Sequence, residues 1–409
     1  MDSAKPQRLL PAAVCAVAVA TIYAIQPVLE KAGAELGLAP ESLGRLVAAG
    51  QIGYFAGLVL LVPLGDILDR RRLIIGQLLL TGAGAATAAA APNAVVAAAG
   101  LAVAGLFAVV VQITVVYVAA VSAPDERGRN IGTVTSGVVI GILGIRVLAG
   151  LLGDTVGWRT VYLLLAVACA VLAVTVRMRL RPDPSTSSGR CSRAPRARRE
   201  PSANGRLLLS RGVITFFVFA SFGTLWSGLA LPLGAQPWTF GTTEIGLFGL
   251  AGVAGAVGAG RAGRWADSGH AQTISGWSLL LLAASWLLIA RAESTLWPLV
   301  LGIVTLDFAV QAVHVSSQHL LTTAHPARAG RVIGAYMAFY SLGSALGAIT
   351  TTWAYTTWGW QASCLTGALY ALGGFTTWGI TRSATTARPA GADPATPSAD
   401  SRGVPGPLP

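Results

Sequence analysis

The chain has 409 residues, of which 54% are hydrophobic and 11% are charged, and its formal net charge is +12. A typical soluble domain carries about 25% charged residues, so a chain this apolar lacks the polar side chains to cover a water-exposed surface. The composition therefore excludes a soluble globular protein and indicates that lipid surrounds most of the chain.

Twelve apolar stretches follow in chain order, each long enough to cross about 30 Å of hydrocarbon. A spanning segment must satisfy its own backbone hydrogen bonds, so each stretch is predicted to be an α-helix. The first is interpreted as a retained helix rather than a cleaved signal peptide. The predicted spans are 9–29, 44–64, 73–91, 94–121, 131–152, 160–177, 212–233, 243–261, 273–290, 297–321, 332–354 and 362–380.

Two polar stretches, rich in proline and small residues, interrupt this pattern. Such compositions do not form a packed core, so both are predicted to be disordered and cytoplasmic. The fold class is thus predicted as an all-α membrane protein with two pseudo-symmetric six-helix bundles. The predicted divisions are a bundle at 1–178, a linker at 179–211, a bundle at 212–381 and a tail at 382–409.

Most lysine and arginine residues fall on one side of the membrane if the number of spans is even. Because positive residues favour cytoplasmic loops, both termini are predicted to be cytoplasmic, with the chain in the plasma or inner membrane. The basic charge then reflects membrane topology, and no nucleic-acid partner is expected.

Short motifs recur in the two halves at the ends of corresponding helices. This recurrence indicates a duplicated six-helix unit, and transporters built from repeats bind their solute between the halves. The matched pairs are 65–69 with 263–267, and 157–158 with 359–360.

The stretch from Gly65 to Arg72, with Asp69 and Arg70, resembles the loop signature of the major facilitator superfamily. The resemblance covers the chain from Leu9 to about Ile380. In that family, an aspartate and arginines at this loop form a charge relay that locks the cytoplasmic side. The resemblance implies this gate role for Gly65, Asp69 and Arg70. The alternative is a solvated turn at the membrane surface.

The second copy of the loop keeps Gly263 and Asp267 but has Ser268 where an arginine is usual. It is therefore predicted to be the weaker latch. Segments 23–27, 51–54 and 307–318 resemble the twelve-helix drug:proton antiporter branch of the family. That resemblance implies export by alternating access.

Asp307 lies near the centre of a predicted helix, where a charge costs several kcal/mol. Desolvation disfavours the charged carboxylate, which would let Asp307 exchange protons near neutral pH. His314 lies two helical turns later on the same face and is a second proton-coupling candidate. The alternatives are a structural acid paired with a cation and a histidine that only packs. Gln311 and Gln318 extend this polar stripe.

Arg146 is the basic residue within a predicted helix, and it needs an anionic or carbonyl partner. Asp307, an anionic substrate and helix carbonyls are the candidate partners. Glycines on the same helix and on the eighth helix are predicted to meet across the two halves as a sliding surface. They are Gly137, Gly141, Gly144, Gly150, Gly249, Gly252, Gly255 and Gly258.

Aromatic and amide side chains near the midplane would line a pocket for an amphipathic solute. For each tyrosine and tryptophan the alternative is an interfacial anchor. Trp297, Trp353, Trp358 and Trp360 lie near predicted helix ends and are assigned to anchoring. The cavity candidates are Tyr23, Gln26, Tyr54, Gln112, Arg146, Trp226, Gln236, Gln311, Gln318, Tyr336 and Tyr340.

The sequence contains neither a GxxxxGK[ST] loop nor an HExxH motif, so an enzyme, a cofactor and a metal are not expected. The leading hypothesis is a secondary active transporter that exports a small amphipathic molecule in exchange for protons. It would function as a monomer in the bilayer. The alternatives are an importer or facilitator of a small metabolite, whose carboxylate Arg146 would bind, and a membrane sensor that moves nothing.

Overall fold

The computed structural model describes the helical part of the chain. The described residues are 6–123, 126–180, 203–265, 271–324 and 329–386. They are α-helical apart from 3₁₀ turns and loops, and no strand occurs within these ranges. Most of the predicted linker and tail, 181–202 and 387–409, lies outside the described residues.

The first half of the chain forms eight helices. They are α1 (Pro6–Tyr23), α2 (Leu29–Glu35), α3 (Gly44–Leu60), α4 (Arg70–Ala89), α5 (Ala94–Ala108), α6 (Val110–Val121), α7 (Arg127–Thr155) and α8 (Trp158–Arg179). The second half forms α9 (Ala203–Gly228), α10 (Ala230–Gly234), α11 (Thr242–Trp265), α12 (Ala271–Ile289), α13 (Leu296–Ala324), α14 (Ala329–Trp358) and α15 (Trp360–Thr386). Since α5 and α6 run on from each other and α2 and α10 are short, twelve helical passes traverse the described structure.

Two predicted boundaries differ from the structure. Helix α9 begins at Ala203, so the last residues assigned to the linker are helical. Leu207 and Leu208 explain the difference, because they pack against Leu321 and Tyr336 and gain burial by continuing the helix. Likewise, α15 extends into the predicted tail.

The two halves repeat the same helix pairings, as the duplication predicts. In the first half α1 packs on α7, α3 on α5, and α4 on α8. In the second half the corresponding pairs are α9 with α14, α11 with α13, and α12 with α15. The bundles meet where α3 packs against α14 and where α7 packs against α11. These two helix pairs make the most extensive contacts between the halves.

A glycine–tryptophan corner occurs once in each bundle. Gly157 has φ 84° and Gly359 has φ 81°, in the left-handed region that glycine adopts without steric cost. The tryptophan after each glycine is 1% exposed, and Trp360 donates a hydrogen bond of 3.1 Å to the carbonyl of Ile289. The prediction that Trp360 is an interfacial anchor is wrong, because the corner turns its ring into the bundle.

The outer surface of the bundles is apolar. Leu163, Val167, Val171 and Val174 on α8 are each more than half exposed, and a stripe of this kind is expected to face lipid. Nine helices within the described residues are long and apolar enough to cross a membrane. Helix α15 is as long but less apolar.

Close contact between α3 and α5 depends on glycine. A Cβ on Gly105 would lie 2.1 Å from the carbonyl oxygen of Gly50, whereas a Cβ on Gly144 would meet nothing within 4 Å. We expect Gly105→Ala to lower the Tm of the purified protein in detergent. The matched Gly144→Ala should leave Tm unchanged or raise it, because alanine favours a helix by about 1 kcal/mol over glycine. Equal Tm values for the two variants would contradict this packing.

Candidate functional site

Arg146 lies within α7 at the interface of the bundles and is 1% exposed. Its Nε and Nη2 atoms both donate to Oε1 of Gln26, each at 3.2 Å. Its Cζ atom lies 3.7 Å from the ring centroid of Trp226, which belongs to α9 of the other bundle. A guanidinium over an indole face is attracted by the ring quadrupole, but this contact does not neutralise the charge.

Asp307 faces Arg146 from the other bundle. It lies in α13, is 2% exposed, and its Oδ2 atom has no hydrogen-bond partner. The two charges interact electrostatically, but no nitrogen of Arg146 comes within 4.0 Å of the carboxylate. Away from water such charges attract each other more strongly than on a surface. Opposite charges are thus coupled across the interface without forming a direct ion pair.

Glycines of α11 bring these side chains together. A Cβ on Gly252 would lie 3.0 Å from Oδ2 of Asp307 and 3.0 Å from Cζ2 of Trp226. A Cβ on Gly249 would lie 3.2 Å from the Cβ of Arg146. Small residues permit this approach in membrane bundles. We refer to Gln26, Arg146, Trp226 and Asp307 as the central cluster.

The predicted glycine surface is confirmed only in part. Gly150 meets α11, since its Cβ would lie 2.5 Å from the carbonyl oxygen of Thr242. Gly137 and Gly141 instead face α1, each with a Cβ position 2.3 Å from a carbonyl oxygen there, so the prediction is wrong for these two. The helical period places them on a different face of α7 from Gly150. The side-chain surroundings of residues 254–265 on α11 lie outside the described part of the structure.

His314 lies on α13 in a second group of side chains. Its Nδ1 atom is 3.0 Å from the hydroxyl of Tyr336, and its Nε2 atom is 2.9 Å from Nε2 of Gln318. Its ring packs edge-to-face with that of Phe219, with centroids 5.3 Å apart. Gln311 is half-buried between this group and Asp307 along the helix. These partners all belong to the second bundle, and a proton-coupling role for His314 stays a prediction.

The remaining cavity candidates lie in several places. The hydroxyls of Tyr23 and Tyr340 form a hydrogen bond across the two bundles. Gln112 donates to the hydroxyl of Tyr54 at 3.3 Å within the first bundle. Gln236 is exposed in the loop after α10 and is not part of the central cluster. Only some of the predicted cavity residues therefore lie at the interface between the bundles.

The loop between α3 and α4 is held by its own polar groups. Asp69 caps α4, because its Oδ1 atom accepts a hydrogen bond of 2.8 Å from the backbone N–H three residues later. The Nε atom of Arg70 donates to the carbonyl of Gly65 at 3.1 Å. The side-chain surroundings of Gly263 and Asp267 lie outside the described residues. A gate role for either loop stays a prediction.

A carboxylate joins the bundles at the end of the molecule where α1 ends, which we term the far side. Asp154, at the end of α7, accepts hydrogen bonds from the backbone N–H groups of Thr242 at 3.1 Å and Thr243 at 2.7 Å. It thereby satisfies amide groups that the first turn of α11 leaves free. The hydroxyl of Thr242 donates to the carbonyl of Gly150 at 2.8 Å.

Sequence reasoning missed this far-side contact. Asp154 follows the predicted span 131–152, where a loop was expected and an acidic residue is ordinary, so it carried no distinguishing signal. The available clue was the Thr242-Thr243 pair at the start of a glycine-rich helix, since threonine favours helix N-termini.

Glu30, on α2, also lies between the bundles on the far side. A Cβ on Gly234 would lie 2.5 Å from its Oε2 atom. Burial raises the pKa of Glu30 from 4.5 to about 7. Tyr355, on α14, and Glu293 are ionisable groups in this region. Within the described residues, no group of three or more His, Cys, Asp or Glu residues is placed to hold a metal ion.

Comparisons with known proteins place the chain among transporters. Residues 11–268 match the family model of the Major Facilitator Superfamily. YgaY, an uncharacterized transporter of Escherichia coli O157:H7, is 37% identical over 87% of this chain and 90% of its own length. A chloramphenicol resistance protein of Streptomyces lividans is 26% identical over 56% of this chain and 62% of its own length.

A solved structure shows the same fold. It is a bacterial homolog of the human lysosomal transporter Spinster, in an inward-facing and unoccupied conformation. The TM-score is 0.70 at 14% identity, and the match covers 94% of this chain and 96% of that chain. The prediction of a twelve-helix transporter fold is confirmed.

Titration of Glu30 should make the closed far side less stable as the pH rises from about 4.5 to about 7. The closed protein keeps the Glu30 proton up to about 7, whereas an exposed glutamate has lost it. The closed protein therefore binds more protons in this window, and its stability falls with pH. We expect Glu30→Gln to flatten this part of the Tm–pH profile. Glu41→Gln, an exposed far-side control, should keep the slope. An unchanged slope in Glu30→Gln would contradict the assignment.

Proposed function

The chain belongs to the Major Facilitator Superfamily, and we propose that it is a secondary active transporter that exports a small amphipathic organic molecule in exchange for protons. Family membership supports membrane transport of a small molecule by a protein that is not an enzyme. The proton coupling and the direction of transport are the proposed part, and they rest on the central cluster.

The observation that carries the proposal is the position of Asp307. Its carboxylate is buried at the interface, has an oxygen without a hydrogen-bond partner, and faces Arg146 of the other bundle. A buried ionisable group in a membrane bundle is expected to serve transport rather than stability, because its charge is costly there. Gain or loss of one proton at Asp307 changes the charge of the interface itself.

Protonation of Asp307 would then bias the arrangement of the bundles. With Asp307 ionised, its charge balances Arg146 and draws the bundles together at the cluster. With Asp307 protonated, the guanidinium loses that balance and is stabilised by water, which requires the interface to open. A proton thus acts as a ligand with different affinity for two conformations, as alternating access requires.

Substrate is exchanged for a proton if the two bind to the central cluster alternately. The substrate would occupy the interface while Asp307 is ionised, and a proton would replace it for the return step. Binding sites of repeat-built transporters lie between the halves, and Arg146 and Asp307 lie on the two sides of that interface.

The proposed orientation places the far side outside the cell and the termini in the cytoplasm, because most lysine and arginine residues lie on the termini side. The membrane is then the plasma or inner membrane. The Asp154 contact with α11 would close the outer gate. Asp69 and Arg70 would latch the cytoplasmic gate in the opposite conformation.

Export is favoured over uptake by two considerations. The relative from Streptomyces lividans is named for chloramphenicol resistance, which removal of a toxic compound from the cell can produce. Segments 23–27, 51–54 and 307–318 also resemble the drug:proton antiporter branch of the family.

The proposal predicts that Asp307→Asn abolishes resistance conferred by the wild-type protein. Pump-deficient bacteria would express each variant at matched levels and be tested for growth inhibition across a broad panel of toxic compounds. Wild type should raise the inhibitory concentration several-fold for at least one compound, and Asp307→Asn should return it to the vector level because the coupling acid is lost. Glu293→Gln, an exposed carboxylate control, should behave as wild type.

The outcomes distinguish the export proposal from the proposal that Asp307 is the coupling acid. Resistance that persists in Asp307→Asn would support export and reject Asp307 as the coupling acid. If wild type protects against nothing in the panel, the export proposal is contradicted.

A further inference from the structure

The central cluster holds more hydrogen-bond donors than acceptors. Nη1 of Arg146, Nε2 of Gln26 and Nε1 of Trp226 each lack a hydrogen-bond acceptor. The three residues are 1%, 2% and 5% exposed, so bulk water does not solvate these donors. Buried donors without acceptors are costly and uncommon in folded proteins, so these three call for a partner.

The residues that carry these donors line one cavity. Gln26, Arg146 and Trp226 line a cavity of about 10 Å³, together with apolar side chains that include Leu229 and Ile245. The volume is enough for one oxygen-sized group. The cavity is therefore lined by polar side chains at one part of its wall and by hydrocarbon at the rest.

The central cluster has fewer unpartnered acceptors than unpartnered donors. Asp307 contributes one oxygen without a partner, and the indole of Trp226 approaches that carboxylate. A bond from any one of the three donors to that oxygen would leave the other two without an acceptor. A ligand that carries an acceptor would satisfy them.

The charges of the cluster determine whether the ligand that carries the acceptor is anionic, cationic or neutral. The positive charge of Arg146 is already opposed by Asp307 across the interface. An anionic ligand would add a second negative charge near Asp307, and a cationic ligand would be repelled by Arg146. A neutral acceptor such as an amide carbonyl or nitro oxygen meets neither penalty.

Aromatic rings define the rest of the ligand. The guanidinium of Arg146 lies 3.7 Å from the ring centroid of Trp226, 5.3 Å from that of Phe222 and 5.6 Å from that of Tyr23. A flat apolar ligand can stack on such rings. We infer that the central cluster binds the acceptor oxygen of a neutral aromatic molecule, an inference that rests on the proposed transport function and names its substrate class.

This ligand class agrees with exchange against protons. A neutral ligand binds best while Asp307 is ionised and the cluster carries no net charge. A proton on Asp307 leaves the charge of Arg146 unbalanced, which favours water over an apolar molecule. The ligand and the proton therefore exclude each other. In the conformation described, the cavity of about 10 Å³ holds only the polar end of the ligand.

The test uses three compounds of one shape: 2-naphthamide, 2-naphthoate and 2-naphthylmethylamine. Binding to the purified full chain in lipid nanodiscs would be measured by calorimetry at neutral pH. We expect 2-naphthamide to bind and the two charged compounds to bind at least about tenfold more weakly. Arg146→Lys removes the fork of donors, and Trp226→Phe removes one N–H while keeping an aromatic ring. Each should weaken 2-naphthamide binding by about tenfold, as expected for hydrogen bonds in a buried site.

Two further variants sharpen the result. Arg211→Lys is the matched control, because Arg211 is 2% exposed but bonds to Ser275 and Gln272 outside the cluster, and it should bind 2-naphthamide as wild type does. Asp307→Asn should reverse the preference, so that 2-naphthoate binds more tightly than 2-naphthamide, because Arg146 is then unopposed.

Three results would overturn the inference. They are tighter binding of 2-naphthoate than 2-naphthamide by the wild type, equal binding of all three compounds that survives Arg146→Lys, and no binding of any compound. Because binding is measured at equilibrium, these outcomes are separate from transport. A protein that binds 2-naphthamide as expected but protects cells against nothing would contradict export alone. A protein that exports by way of Asp307 but fails the binding series would contradict this inference alone.

Discussion

The attraction between Arg146 and Asp307 across the bundle interface is the interaction on which the rest of the proposed mechanism depends. Hydrocarbon surrounds most of the chain, so a charge within it must face a partner or a cavity. Each bundle contributes one charge, and neither has a counter-ion of its own within its bundle at ion-pair distance among the described residues. The attraction between the two charges therefore favours contact of the bundles at this level. A proton on Asp307 removes one charge and with it this attraction.

The packing of α11 makes this arrangement possible. Gly246, Gly249 and Gly252 lie along the helix face that meets Arg146 and Asp307. A methyl group at each of these positions would lie between 2.7 and 3.2 Å from its nearest neighbouring atom. Glycine costs helix stability of about 1 kcal/mol each in an ordinary helix. Here that cost accompanies the close approach of α7, α9 and α13 to α11 around the central cluster. The same helix is capped by Asp154 from the opposite bundle, so one element links the central cluster with the far-side contact.

Much of the fold could be predicted from the sequence, because a bilayer imposes simple rules on composition and length. The duplicated Gly157-Trp158 and Gly359-Trp360 corners have matching φ angles and matching burial, which gives the repeat a physical basis. The same rules drew attention to Arg146 and Asp307, since charges within apolar runs are rare. The partners of these two residues could not be predicted. Helical periodicity shows which residues share a face of one helix, but not which other helix packs against that face.

Other parts of the site depend on packing that the sequence does not record. Gly137 and Gly141 belong to the same small-residue pattern as Gly150, yet they face α1 rather than the other bundle. His314 shares a helix with Asp307 but is hydrogen-bonded among aromatic rings of its own bundle. Asp154 acts through backbone amides, which every sequence contains, so nothing in its neighbours marked it as an inter-bundle contact.

The most direct test of the coupling between the two charges needs no substrate. Arg146→Gln, Asp307→Asn and the double variant would be compared with wild type for their free energy of unfolding in one detergent. Each single change leaves the other charge unopposed, so the double variant should lose less stability than the two singles together, by more than about 0.5 kcal/mol. If the two losses add within about 0.5 kcal/mol, Arg146 and Asp307 act independently, and a proton on Asp307 cannot move the bundles through Arg146.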